Sequence, residues 1–285
     1  MPLPFLRPKD SFITCRDRND GGGAQISARI STMILARLKG MTYAHTPVSD
    51  VAHRPEDVAE TDWARAWEEF FNLGAGEVQA AELSYPLRPV AKPHRFWPHS
   101  RSLHVVAHCH RLTNHHPEAW AALAPALRKK YGQTPKPELP GFDDGRVQIA
   151  VHMRRGDVAS TGEFAQWFTP DEVILKRLEG VLAAVGEERA NVRLFSEGKP
   201  EDFKAFTELG ATLHLDEDVF TTFHQLVSSD VLIMAKSTFS YLSAIIGGQV
   251  CLYEPFWHPK LPGWIGPEEA AGSALHEALE RRRRR

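Results

Sequence analysis

The chain has 285 residues, enough for one large or two ordinary domains with cores of their own. Its 34 basic and 36 acidic residues leave a formal charge of -2, so no global field draws it to nucleic acid or to an anionic membrane, and any anion site has to be local. The opening MPLPFLRPKD lacks the apolar core of a signal peptide and no stretch reaches the roughly 20 apolar residues of a membrane span, which sets the expectation of a soluble, cytoplasmic protein.

In chain order, FITC from Phe12 reads as a strand, followed by a glycine turn at Gly21, Gly22 and Gly23 and a helix over 24–38. MTYAHTPV (41–48) is the next strand and WARAWEEFF (63–71) an amphipathic helix whose Trp63 and Trp67, one turn apart, belong in a core. LHVVAHCH (103–110) is a strand and 117–131 a helix. Residues 132–145, GQTPKPELPGFDDG, continue neither kind of element and form the linker. After it the alternation sharpens. Strands at 147–153, 191–196, 211–215, 231–235 and 250–254 alternate with helices at 170–185, 200–209, 219–229 and 240–246. This order predicts an α/β protein with parallel sheets: a Rossmann-like domain over 1–135, a second over 145–265, and a C-terminal helix with an arginine tail over 266–285. Arg281 to Arg285 read as a disordered, solvated tail, with a tether for RNA or membrane as the lesser reading. Cys15, Cys109 and Cys251, odd in number and each in a predicted strand, are expected to be buried thiols in a reducing compartment.

Chemistry concentrates where strands end. In VHMRRGDV (151–158) two arginines follow a buried strand, the place where open α/β sheets bind ligands. Arginine's planar fork donates two parallel hydrogen bonds and stays charged, so Arg154 is the natural phosphate ligand. Side chains alternate along an extended backbone, which turns Arg155 the other way and gives one of the pair a structural ion pair, with Asp157 the nearest partner. Downstream, Lys236, Ser237, Thr238, Phe239 and Ser240 lie between a buried strand and the next helix, a second anion site of hydroxyls and helix N-terminal amides; Ser240 as a plain helix cap stays open. Two anion sites at two strand ends suggest a diphosphate. Gly21 to Gly23 fit neither GxGxxG nor GxxxxGK[ST], and a plain tight turn there also stays open.

VHMRRGD, KSTFSYLSA and GGGAQ together resemble the fucosyltransferase superfamily of α1,2-, α1,6-, Nod-factor and protein O-fucosyltransferases. The segment 219–246 is similar to that family's donor motif over its whole length, and VRLFSEG to its intermediate motif. The resemblance implies a GT-B fold, two Rossmann-like domains facing a cleft, a GDP-sugar donor, inversion at the sugar carbon, a glycan or other hydroxyl acceptor, and neither cofactor nor metal. It also implies that Arg154 holds the leaving diphosphate, that His152, Arg155, Asp157, Ser196, Ser237, Thr238, Phe239 and Ser240 surround the donor, and that Gly22, Gly23 and Gln25 close over it from the first domain. His224 falls at the base-reading position of the α1,6 branch, but Thr222 stands where an acidic reader is expected; Asp218 is the substitute carboxylate. Glu163 lies one residue beyond the position of the branch's general base, and a loop glutamate without duty is the alternative.

Other constellations remain. His104, His108 and His110 share a face if they lie on one strand, as zinc ligands or, with His45, as hydrogen-bond partners of acceptor hydroxyls. Asp216 and Asp218 spell the DxD of metal-dependent transferases, or simply cap a helix. Trp97, Trp257 and Trp264, in proline-rich loops, are candidate sugar platforms. A GT-B protein that binds a nucleotide sugar or glycan without catalysis is the competing reading.

Overall fold

The computed structural model describes residues 10–269 and 273–283. The chain divides into two compact units, Met1–Pro135 and Lys136–Arg285, each built on a five-stranded parallel sheet.

The first unit runs β1 (Ser11–Cys15), α1 (Gly22–Lys39), β2 (Thr42–His45), α2 (Glu60–Phe71), β3 (Val78–Gln79), β4 (Leu87–Val90), β5 (Ser102–Val106), α3 (His110–Thr113) and α4 (Pro117–Tyr131), with strand order β3-β2-β1-β5-β4. Ile26, Ile30, Met33 and Ile34 recur at helical spacing and are buried, which fixes α1 against the sheet. Gly40, at φ 65, ends the helix in the left-handed conformation that a side chain disfavours. β4 was not foreseen because it carries Arg88 and Pro89; it is an edge strand, the place in a sheet that tolerates proline.

The second unit runs β6 (Val147–His152), α5 (Asp171–Val185), β7 (Ala190–Ser196), α6 (Lys204–Glu208), β8 (Thr212–Leu215), α7 (Val219–Ser228), β9 (Val231–Ile233), α8 (Thr238–Gly247), β10 (Val250–Leu252) and α9 (Ser273–Arg283). Ile149, Val151, Leu194 and Ile233 from the sheet pack on Ile174, Leu178 and Val181 of α5 in one core. The strands are mostly apolar, β9 and β10 entirely so, because both faces of the sheet are covered. The order is β10-β9-β6-β7-β8. After β6 the chain winds to one edge and then returns to place β9 on the other side of β6, so β6 and β9 flank a topological switch point, the place where open α/β sheets bind ligands at the carboxyl ends of their strands.

Three expectations are corrected here. Cys109 precedes α3 and is not in a strand, although all three thiols are free and buried. His108 follows β5 and His110 opens α3, so only His104 of that trio lies on the strand. Helix α9 continues through Arg283, because the alternation of apolar Leu275 and Leu279 with charged neighbours supports a helix beyond the expected boundary; Arg284 and Arg285 lie outside the described residues.

Candidate active site at the carboxyl edge of the second sheet

The loop after β6 begins as a continuation of the strand, Met153 N donating to Phe195 O at 2.9 Å. It then turns through Gly156 at φ 73, where a side chain would also run into the Glu197 carboxylate. The turn brings Asp157 back beside Arg154: Nη2 donates to Oδ2 at 2.6 Å and Nε to Oδ1 at 3.2 Å. Arg154 is 28% exposed and Asp157 52%, so the guanidinium reaches solvent with an exchangeable partner.

Arg155 is committed elsewhere. It donates to Thr169 O at 3.0 Å and to Asp171 Oδ1 at 2.5 Å, and its guanidinium stacks 4.2 Å from the Phe168 ring. This corrects its assignment as a donor ligand: the side chain fastens the segment leading into α5. Lys236, in the loop after β9, fastens the same segment by donating to Phe168 O at 3.1 Å and Gln166 O at 3.4 Å. Residues 162–169 therefore form a strap held by cations from the two loops that flank the switch point. Sequence reasoning missed this role for Lys236 and Asp171, whose signal was no more than a lysine and an acid beside a strand end and a helix start.

Across the switch point, Ser237 caps α8, its Oγ accepting from Phe239 N at 3.2 Å, and no acid stands in the first turn of that helix. Its positive dipole end is therefore not neutralised locally. Thr238 is the first helical residue and partly exposed. Ser240 is corrected: it is neither cap nor surface residue but fully buried, its Oγ donating to Ala235 O at 3.3 Å and Ser237 O at 3.4 Å. The Phe239 ring lies 5.8 Å from that of His152 and 5.0 Å from that of Phe223.

His152 ends β6 with its Nδ1 buried and unpartnered among the described residues. Burial and, secondarily, the Arg154 charge push its pKa down to about 4, so the imidazole is neutral at physiological pH. Ser196 ends β7, its Oγ donating to Glu197 O at 3.1 Å. On α7, Thr222 and His224 are half-buried. Burial and then the Lys136 charge lower the His224 pKa, while burial lowers Lys136 to about 8. Asp218 is spent as the α7 cap, accepting from Thr221 N at 2.8 Å and Thr221 Oγ1 at 2.9 Å, so it is corrected as a base-reading carboxylate. Glu163 lies exposed in the strap, ahead of a single 3-10 turn (Ala165–Trp167).

Several first-unit candidates are engaged in packing or hydrogen bonds within their own unit. Gly22 and Gly23 are helical residues of α1, not a loop, and a side chain at Gly22 would strike the Trp67 indole. Gln25 is fully buried, donating to Asp20 O at 2.9 Å and Asp50 O at 2.5 Å. His45 is buried between Glu68 Oε1 at 2.6 Å and Tyr43 Oη at 3.0 Å. His108 Nδ1 accepts from Arg18 at 2.9 Å, and its ring lies 6.1 Å from that of His110. Among the described residues no group of three or more His, Cys, Asp or Glu is placed to hold a metal ion.

A groove of about 990 Å³ opens at the opposite, amino-terminal edge of the second sheet, lined by Arg146, Val147, Asp230, Gln249 and Trp264. Arg146 there is held by both oxygens of Asp144, and none of the groups at the switch point lines it. The candidate residues named above lie at the carboxyl edge.

The fold defines an α/β protein of two parallel-sheet units, the second with a topological switch point between β6 and β9. Among solved structures, the chain is similar to the fucosyltransferase NodZ from Bradyrhizobium at 14% identity and TM-score 0.46, over 88% of this chain and 97% of that one. It is similar to POFUT1 in complex with GDP at 10% identity and TM-score 0.46, over 91% and 98%. A third similarity is to Arabidopsis thaliana FUT1 in complex with GDP, at 12% identity and TM-score 0.41, over 88% and 72%. No family model and no curated protein matches the sequence.

Proposed function

We propose that the chain is a glycosyltransferase that moves a sugar, L-fucose foremost, from a GDP-sugar to a hydroxyl of a glycan or other acceptor, with inversion and without a metal. One observation carries this reading: a solvent-reaching guanidinium, Arg154, and the N-terminus of α8 stand on the two strands that flank the switch point. Two anion-binding groups on neighbouring strand ends suit a diphosphate. The choice of GDP-fucose rests on the motif resemblance of VHMRRGD and of residues 219–246.

As the glycosidic bond breaks, negative charge grows on the leaving β-phosphate oxygen, and donors already in place stabilise it without reorganising. Arg154 supplies the full charge, and α8 with Thr238 supplies oriented dipoles and a hydroxyl. The Arg154–Asp157 pair is exposed and worth about 0–1 kcal/mol, so a diphosphate with two charges displaces Asp157 at little cost. Neutral His152 sits beside this position as a polar group that adds no competing charge. Glu163 takes the acceptor proton, and attack from the face opposite the diphosphate inverts the sugar carbon. Calorimetry with GDP and UDP, followed by donor-hydrolysis and transfer assays, tests the reading: GDP binding tighter than UDP and slow hydrolysis of GDP-fucose are expected, and a chain that binds neither nucleotide overturns it.

A second reading, a nucleotide-sugar or glycan binder without catalysis, is favoured by one observation. Gly22, Gly23 and Gln25, expected to close over the donor, are built into α1 and its packing. GDP binding with neither hydrolysis nor transfer selects that reading.

A further inference from the structure

Beyond their last paired residues, Val151 and Ile233, β6 and β9 part. Met153 N donates to Phe195 O of β7 at 2.9 Å and Met234 N to Leu252 O of β10 at 3.1 Å, so each chain follows its outer neighbour. The sheet ladder therefore stops setting the distance between the loop that carries Arg154 and the loop that leads into α8.

A short piece of the strap takes over that task. Lys236 Nζ donates to Phe168 O at 3.1 Å and Arg155 Nη2 to Thr169 O at 3.0 Å, so the two loops hold consecutive carbonyls. Arg155 Nη1 also donates to Arg154 O at 3.0 Å, and its guanidinium lies 4.2 Å from the centre of the Phe168 ring. The bridge is stiff: Phe168 is extended, Thr169 is restricted by the proline after it, and Pro170, at φ -59, caps α5. On the other side, Lys236 stands just before Ser237, the α8 cap, and no carboxylate pairs with it among the described residues.

We propose that Lys236 is a positioning residue: by tying the loop after β9 to the strap that Arg155 ties to the loop after β6, it sets the span between Arg154 and the N-terminus of α8 to that of a diphosphate. This inference rests on the transferase reading and names what gives its donor site a preference for two phosphates over one. A ligand held at both ends feels any error in that span, and a misplacement of about 1 Å costs on the order of 10²-fold where geometry is exacting. A monophosphate engages one end only and is indifferent to it.

The test titrates the full chain with GDP and with GMP, at about 0.1 M and about 0.5 M salt, with thermal denaturation as a control for folding. Lys236→Met is expected to lose about tenfold in GDP affinity while GMP affinity stays within about twofold, at both salt concentrations, and Lys236→Arg to keep most of the preference for GDP. Unchanged GDP affinity in Lys236→Met, or equal loss for both nucleotides, overturns the inference. So does a loss that disappears at the higher salt, which marks an ammonium acting by its charge alone. Should Lys236→Met fail to fold, hydrogen exchange of the wild-type protein decides: the strap amides of Ala165, Trp167 and Phe168 are expected to exchange more slowly with GDP bound than with GMP bound, and equal exchange overturns the inference. Wild-type protein that binds no GDP, in contrast, removes the transferase reading itself.

Discussion

Arg155 Nη2 lies 2.5 Å from Asp171 Oδ1, and this contact separates the duties of two adjacent arginines. Arg155 ties the loop after β6 to the start of α5, while Arg154 keeps an exposed partner and an open side. Arg154→Ala is therefore expected to lower turnover by about 10²- to 10³-fold with little change in Tm. Arg155→Ala, which orphans the Thr169 carbonyl and removes the Phe168 stack, is expected to cost about 2–3 kcal/mol of stability. Transfer assays beside thermal denaturation read the two apart, and the opposite pattern sinks the assignment.

His152 sets a pH dependence. Its folded pKa is depressed to about 4, against an ordinary value near 6.5, so between those values the unfolded chain binds the proton that the folded chain refuses. Stability should therefore fall as pH drops from about 6.5 to about 4, by up to about 3 kcal/mol, and level off below. Denaturant unfolding of wild type and His152→Asn at pH 7 and pH 4.5 measures it; an equal slope in both proteins contradicts the cause given.

Gly22 separates packing from ligand contact. Gly22→Ala drives a methyl group into the Trp67 indole and should cost about 1–3 kcal/mol, with GDP affinity unchanged in the folded fraction. A large loss of GDP affinity at unchanged Tm would restore the glycine segment to the donor site.

The two serines of the α8 entry should behave differently. Ser237→Ala removes the cap of α8, costing about 1 kcal/mol, and should weaken GDP binding severalfold because the cap shapes the helix end that meets the phosphates. Ser240→Ala should leave GDP binding unaltered, since its hydroxyl is buried against Ala235 O and Ser237 O. Isothermal titration of both variants checks this.

Metal removal addresses Asp216 and Asp218. Asp218 caps α7 through Thr221, and Asp216, at φ 54, donates its N–H to Ser196 O in the turn after β8. EDTA is expected to leave transfer unchanged; activity lost to EDTA and restored by manganese would reassign the diphosphate to a metal held there.

The sequence alone made the second unit legible, because its strands are predominantly apolar runs separated by helices of clear period, such as Ile174, Leu178 and Val181. The first unit was harder: β4 carries an arginine and a proline, and edge strands obey weaker rules. That Arg154 stands partly exposed at a strand end was readable from its place after a buried run. What local pattern could not supply was competition for each polar group. Gln25, His45 and Asp218 have the chemistry of ligands in sequence, yet each is consumed by a partner 3 to 25 residues away: Asp218 by Thr221, His45 by Glu68, Gln25 by Asp50.

Residue type and spacing determined, without any coordinates, that this chain folds into parallel α/β units and that charge collects at strand ends, since burial and backbone geometry act over a few residues. The tertiary structure decided which of two neighbouring arginines stays open and which glycine serves packing. It also decided that the loops after β6 and β9 face each other across a switch point. Those outcomes depend on which distant group satisfies each buried donor and acceptor, a matter settled only when the strands take their order.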